Sequence, residues 1–232
     1  MQLLLVNDDG IHAPGIAALE RAVKNIGRSV TIAPDKHYSG CGHQATTNRG
    51  LLLTELSPGR YMLDGTPADC TRIGLTHLAP DVDWVLAGIN EGGNLGADIY
   101  MSGTVAAVRE AALLGKPGIA VSHYVRREMA VDWDQAAAWT EHVVRRLLKD
   151  AAECTAPLAG VYWSVNLPHC EPGSAMPQIV FCPSDGNPLP VKFEVNEGRL
   201  HYRGNYHQRL RTPGGDVDVC FRGHIAVTRL TI

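Results

Sequence analysis

The first 33 residues limit the fold more than any other stretch. Residues 3–6, Leu-Leu-Leu-Val, form an apolar run of strand length, and residues 14–26 carry apolar positions at Ile16, Leu19, Val23 and Ile26, the spacing of a helix with one buried face. Pro14 stands where a helix tolerates proline and Gly27 where a helix stops. Residues 30–33 then supply a second apolar run. Strand, helix and strand within about 30 residues is the pattern of a parallel βαβ unit, and it predicts a doubly wound α/β sheet.

The remaining chain extends this pattern. Residues 34–67, rich in Gly, Thr and Ser, read as an excursion above the sheet in which only 51–56 and 61–63 are strand-like. A helix is expected at 69–78, a central strand at 82–87, a helix at 104–114 that Thr104 can cap, a strand at 118–122 and a long amphipathic helix at 133–149. Beyond residue 150 the chain becomes richer in Pro and Gly. Strand candidates lie at 161–165, 178–181, 192–195 and 200–202, the last two joined by Asn196-Glu197-Gly198-Arg199, a turn-forming sequence. The expected division is a Rossmann-like core over residues 1–150, carrying the functional site, and C-terminal strands with a hairpin arm over 151–232. The arm is poor in apolar residues, which suggests packing on a second subunit.

Composition removes several classes of function. The 21 basic and 24 acidic residues leave a formal charge of −3, which lacks the electrostatic footprint of a protein that grips a nucleic-acid polymer. No apolar run approaches the roughly 20 residues of a membrane span. The four apolar residues before Asn7 are too few for a secretory core, so a cytoplasmic protein is expected. The six cysteines form no C-x-x-C pair and the ten histidines no H-x-x-x-H pair, arguments against structural or histidine-bound zinc.

Candidate chemistry concentrates at the strand ends. Asn7-Asp8-Asp9-Gly10 follows the first strand directly, and in an open α/β sheet the ligand crevice lies outside the carboxyl ends of the strands. An isolated Asp-Asp-Gly would usually be a turn. At this place, two adjacent carboxylates call for a shared proton or a bound cation. The next strand end offers Asp35 to Gly40, including Ser39, and the central strand end offers Gly88-Ile89-Asn90-Glu91-Gly92-Gly93-Asn94. Carboxylate, hydroxyl and amide oxygens suit a hard divalent ion such as Mg²⁺ or Mn²⁺. Ser102-Gly103-Thr104 opens a helix whose unpaired N–H groups can hold an anion. A cation beside an anion cradle is the layout for hydrolysing a phosphate ester, with Asp8 and Asp9 as catalytic and metal-binding residues and Asn94, Ser102, Gly103 and Thr104 on the phosphate side.

In order along the chain, these motifs resemble those of the SurE family, the stationary-phase survival nucleotidases. The matching segments are Asn7 through Gly15, Ala33-Pro34-Asp35 with Ser39-Gly40, Gly65-Thr66-Pro67-Ala68-Asp69-Cys70, Gly88-Ile89-Asn90 with Gly92, Asn94-Leu95-Gly96, and Ser102-Gly103-Thr104-Val105-Ala106-Ala107. Val165-Asn166-Leu167-Pro168 and Gly223-His224-Ile225-Ala226-Val227-Thr228 are weaker echoes. The resemblance implies a three-layer α/β/α, mostly parallel Rossmann-like sheet with a protruding C-terminal β-hairpin arm. It also implies a divalent-metal-dependent 5′/3′-nucleotidase, with phosphate removal from polyphosphate in some members, and a homodimer or homotetramer. The family's metal ligands fall on Asp8, Asp9, Ser39 and Asn90. Lys36 stands where the family usually has Arg, and Met101, preceded by Tyr100, where it usually has Tyr. Of two nearby histidines, His12 and His43, the latter is the one to test as a general acid.

Two rival classes remain at this stage. A phosphoacceptor receiver domain also pairs acids after its first strand, but it needs an aspartate nucleophile at a later strand end, where this chain has Asn90. A nucleotide-binding module without catalysis would use the same sheet edge merely to hold a ligand.

Overall fold

The computed structural model describes residues 1–126 and 129–232. Its centre is a nine-stranded sheet ordered β3-β4-β2-β1-β5-β6-β7-β11-β8, comprising β1 (Gln2–Val6), β2 (Arg28–Pro34), β3 (Leu53–Ser57), β4 (Arg60–Leu63), β5 (Trp84–Glu91), β6 (Gly118–His123), β7 (Val161–Leu167), β8 (Ile179–Phe181) and β11 (Ile225–Thr231). Only the β3–β4 and β7–β11 pairs run antiparallel. Both faces are covered. Alternate residues of β1 point to opposite sides, as the two-residue period requires. Leu3 and Leu5 meet α1 (Pro14–Val23) and α4 (Trp133–Glu153), while Leu4 and Val6 meet α2 (Pro67–Ile73) and α3 (Gly103–Leu113). This is the expected three-layer, mostly parallel arrangement.

The position of β1 locates the functional edge. From β1 the chain goes to β2 on one side and later returns as β5 on the other. The strand order therefore reverses at β1–β5, and the crevice of a doubly wound sheet opens at such a switch point. Asn7-Asp8-Asp9 leaves β1 there, and Asn90 and Glu91 end β5 there.

Several boundaries depart from expectation. The strand-like pieces of the 34–67 excursion return to one side of the main sheet, β3 at its edge and β4 inside it, parallel to β2. Their polar, half-exposed sequence hides this pairing. Helix α2 begins earlier, at Pro67, because Thr66 and Asp69 form a reciprocal capping box. Past Ile73 it widens into a π-helical turn, Gly74–Leu78, with Gly74 pressed on the Leu4 side chain. Strand β7 lies between β6 and β11 in the main sheet. The hairpin of β9 (Phe193–Asn196) and β10 (Arg199–Tyr202) stands apart as its own two-stranded sheet, turned by Glu197 and Gly198 with positive φ. Helix α5 (Asp216–Phe221) and β11 were not expected as elements. No helix among the described residues is long and apolar enough to cross a membrane.

Candidate active site

Asp8 is the centre of the site. It is 3% exposed, and Thr104 at the start of α3 donates its hydroxyl to Asp8 Oδ1 at 2.5 Å. Helix and aspartate approach closely because residue 103 is glycine: a Cβ there would lie 2.9 Å from Asp8 Cβ and 3.0 Å from Asp8 Oδ2. Ser102 caps the helix by accepting from Val105 N–H at 3.0 Å. Burial, followed by the charge of Asp9, pushes the Asp8 carboxyl up to about 6, and Thr104 only partly offsets this.

The residues expected from sequence fall on two adjoining cavities. One, of about 260 Å³, is lined by Asp8, Ser39, Asn90, Asn94 and Ser102, together with Glu91, Asp98 and Tyr206. The other, of about 430 Å³, is lined by Asp9, His37, Glu91 and Trp133. Asp9 thus faces the far side of the same rim, where its Oδ2 accepts from Glu91 N–H at 3.2 Å and its Oδ1 lies 3.2 Å from His37 Nδ1. Burial raises its carboxyl too.

Side chains from several elements fix the oxygen and nitrogen groups around the first cavity. Asn90 Nδ2 donates to Gly92 O at 2.7 Å, which settles the amide's orientation and leaves its oxygen as the free acceptor. Asn94 Nδ2 donates to Ser122 Oγ at 2.7 Å and keeps a second hydrogen for a ligand. Its backbone is held from β7, where Asn166 Oδ1 accepts from Asn94 N–H at 2.8 Å and Asn166 Nδ2 donates to Asn94 O at 3.1 Å. The Asn166 echo in the sequence therefore supports the site directly. Gly103 and Thr104 do not line the cavity, and both the hydroxyl and the backbone N–H of Thr104 are committed to Asp8.

The donor set fits a hard cation. Around the first cavity it offers the Asp8 carboxylate, the Ser39 hydroxyl and the Asn90 amide oxygen, the ligand types that Mg²⁺ and Mn²⁺ prefer, while the second carboxylate, Asp9, lies on the adjoining cavity beside Glu91 and His37. No cluster of three or more His, Cys, Asp or Glu side chains suited to a metal occurs among the described residues.

His43 is engaged elsewhere. Its Nε2 lies 2.6 Å from Glu110 Oε2, and Arg72 Nε donates to the other oxygen of that buried carboxylate at 2.7 Å. His12 is exposed. Three contributors to the site lacked a legible signal. Tyr206 donates to Asp98 Oδ2 at 3.0 Å, Arg209 Nη1 donates to the same oxygen at 2.6 Å, and Asp216 Oδ2 accepts from Gly96 N–H at 2.8 Å. Each clamps the loop after β5 from more than 100 residues away.

His123, at the end of β6, gives the site a pH signature. Its Nδ1–H donates to Tyr124 O at 2.8 Å, and burial, with His169 nearby, lowers its pKa to about 4. Between pH 6.5 and 4 the unfolded chain takes up a proton that the folded protein refuses, so folding stability falls as pH drops through that window. The difference between 6.5 and 4 corresponds to about 3 kcal/mol. Denaturant titrations of wild type and His123→Asn, which keeps the donor, should show that much less acid destabilisation in the variant.

Comparisons with known proteins bear on the family and the fold. The family model described as survival protein SurE matches residues 3–184. A protein of Nostoc sp., carrying a provisional 5′-nucleotidase name, is 50% identical over 234 residues and covers all of both chains. The 5′-nucleotidase SurE of Paramagnetospirillum magneticum is 35% identical over 237 residues, spanning 99% of this chain and 89% of its own. The crystal structure of the SurE protein from Aquifex aeolicus superposes with a TM-score of 0.82 at 32% identity, covering 100% of this chain and 93% of that one.

Proposed function

The chain belongs to the SurE family, and from that premise we propose that it is a divalent-metal-dependent phosphomonoesterase that converts nucleoside 5′- or 3′-monophosphates to nucleoside and phosphate. The observation that carries this reading is the convergence of Asp8, Ser39, Asn90, Asn94 and the capped start of α3 on one cavity at the sheet's switch point. The relatives' 5′-nucleotidase names supply the substrate class. Removal of phosphate from polyphosphate is a secondary activity of this reading.

Asp8, Asp9, Ser39 and Asn90 would hold the ion. When bound, a divalent ion supplies charge stabilisation at a phosphoryl oxygen and acidifies a water. The protein's own contribution is orientation. Thr104 fixes the rotamer of Asp8, the tie to Gly92 presents the oxygen of Asn90, and Asn94 offers an N–H hydrogen to a phosphate oxygen. The start of α3, with the helix dipole behind it, favours the dianion's position. The burial that disfavours charge on Asp8 also strengthens each of these interactions once a cation neutralises the site.

Chelator-treated protein should release phosphate from AMP at least about 100-fold more slowly than protein resupplied with Mg²⁺ or Mn²⁺. Undiminished turnover in excess chelator would overturn the metal role. Nucleotide binding without phosphate release from any monoester would leave a binding module instead. A receiver domain finds no support, since Asn90 occupies the strand end where such a domain needs an acid. The homo-oligomer and the cytoplasmic location belong to the same reading.

A further inference from the structure

One of the SurE-like segments, Gly65-Thr66-Pro67-Ala68-Asp69-Cys70, lines neither cavity of the site. It grips the loop that carries Ser39 instead. Thr66 donates its hydroxyl to Gln44 O at 2.6 Å. Asp69, whose carboxylate also closes the cap of α2, accepts from Thr46 N–H at 2.8 Å and from the Thr46 hydroxyl at 2.7 Å. Just before these ties, His43 Nε2 lies 2.6 Å from Glu110 Oε2. A carboxylate only accepts, so the hydrogen between them belongs to His43. Glu110 is buried in α3, and Arg72 of α2 donates to its other oxygen. Residues 43–46 are thus fastened to both helices on that face of the sheet.

Ser39 itself is exposed, and the chain beyond it turns at two glycines, Gly40 and Gly42, with φ of 72° and 60°. Its place is therefore set from the two ends of the turn. Upstream, Tyr38 N–H donates to Asp8 O at 2.7 Å; downstream, Gly42 N–H donates to Met101 O at 3.0 Å, one residue before the His43 bond. The His43 bond ends on a buried carboxylate, which makes it one of the stronger kind, and it can be cut without uncapping a helix.

We propose that His43 is a positioning residue for the divalent ion: pinned to Glu110, it holds the turn so that the Ser39 hydroxyl stays on the cavity lined by Asp8 and Asn90. This deepens the metal-dependent reading and rests on it. His43 acts through Ser39 and does not touch the reacting atoms. Without the pin, only a fraction of the molecules presents Ser39. The apparent dissociation constant of the ion then rises by the reciprocal of that fraction, while saturating ion restores the complete site. A mere loss of stability does the reverse, removing active protein and leaving the affinity of the remainder unchanged.

The test is calorimetric titration of metal-stripped protein with Mn²⁺ in the absence of substrate. His43→Ala should weaken Mn²⁺ binding about tenfold, and His43→Gln, whose amide can again donate to Glu110, should recover most of that loss. In a Ser39→Ala background, His43→Ala should add less than about twofold, since the pin has nothing left to position. With AMP as substrate, kcat of His43→Ala at saturating Mn²⁺ should stay within about threefold of wild type. Unchanged Mn²⁺ affinity in His43→Ala, no recovery in His43→Gln, or an equal further loss in the Ser39→Ala background would overturn the proposal. So would a loss of kcat that saturating Mn²⁺ does not restore, the result expected of a general acid. If wild type binds Mn²⁺ and His43→Ala weakens it, yet no monoester is hydrolysed, the nucleotidase reading fails while the pin stands. Wild type that binds no Mn²⁺ removes both.

Discussion

Replacing Asp8 by Asn is expected to abolish nearly all phosphatase activity without harming the fold. Asp8 is buried, and its charge is disfavoured both by burial and by Asp9. Removing that charge removes a cost of folding the metal-free protein, since Asn is nearly isosteric and its amide oxygen still accepts from Thr104. The metal-free variant should therefore unfold at the wild-type temperature or above it. Activity should move the other way. Loss of a carboxylate from a site built of two carboxylates, a hydroxyl and an amide leaves half the negative charge that holds the cation. Such centres contribute several kcal/mol to a phosphoryl transition state, so kcat/KM for AMP should fall on the order of 10³-fold. The rise in melting temperature that Mn²⁺ gives the wild type should vanish in the same variant. Activity within tenfold of wild type, or an unchanged Mn²⁺ effect, would remove Asp8 from the reaction.

How much of this was legible in the sequence depends on the range of the interactions involved. The βαβ start was readable because its signals are local: an apolar run, a 3.6-residue period and Pro14 at the start of the helix, which nevertheless ends at Val23, ahead of the Gly27 expected to stop it. The meeting of Asp8, Asn90 and Ser39 was readable because doubly wound sheets send successive strand ends to one edge. By contrast, nothing local in Asp9 reveals that it faces a different cavity from Asp8. That follows from its ties to Glu91 and His37. Thr104 could be placed at a helix start, but the commitment of its hydroxyl to Asp8 is a contact across 96 residues. The C-terminal region was hardest. Arg209, Asp216 and Tyr206 reach the loop after β5 from short or irregular segments whose composition resembles that of an arm. Strand β11 has an apolar run of ordinary length, but it pairs with β7 and β8, and only pairing shows that it closes the sheet.

Gly15→Ala separates these local and distant influences, because they predict opposite signs. Gly15 follows Pro14 in the first turn of α1, and helix propensity alone would favour alanine by up to about 1 kcal/mol. The packing forbids it. A Cβ at residue 15 would lie 1.9 Å from the carbonyl oxygen of Ile89 and 3.3 Å from Trp133 Cζ3. The first of these is backbone of β5, one residue before Asn90, and no rotamer change can move it. Either α1 lifts from the sheet, opening the packing of Ile16 and Leu19, or the end of β5 shifts and takes Asn90 with it. Overpacking of this kind costs about 3 kcal/mol or more, which exceeds the propensity gain. For a chain of this size that lowers the melting temperature by about 6 to 12 °C. The shift of Asn90 should lower Mn²⁺ affinity in whatever protein remains folded. Gly50→Ala, at a position where a Cβ meets nothing within 4 Å, is the matched control and should leave both quantities unchanged. A Gly15→Ala protein as stable as wild type, with its Mn²⁺ affinity intact, would show that α1 does not seat against the end of β5, and the placement of Asn90 beside Asp8 would lose its structural support.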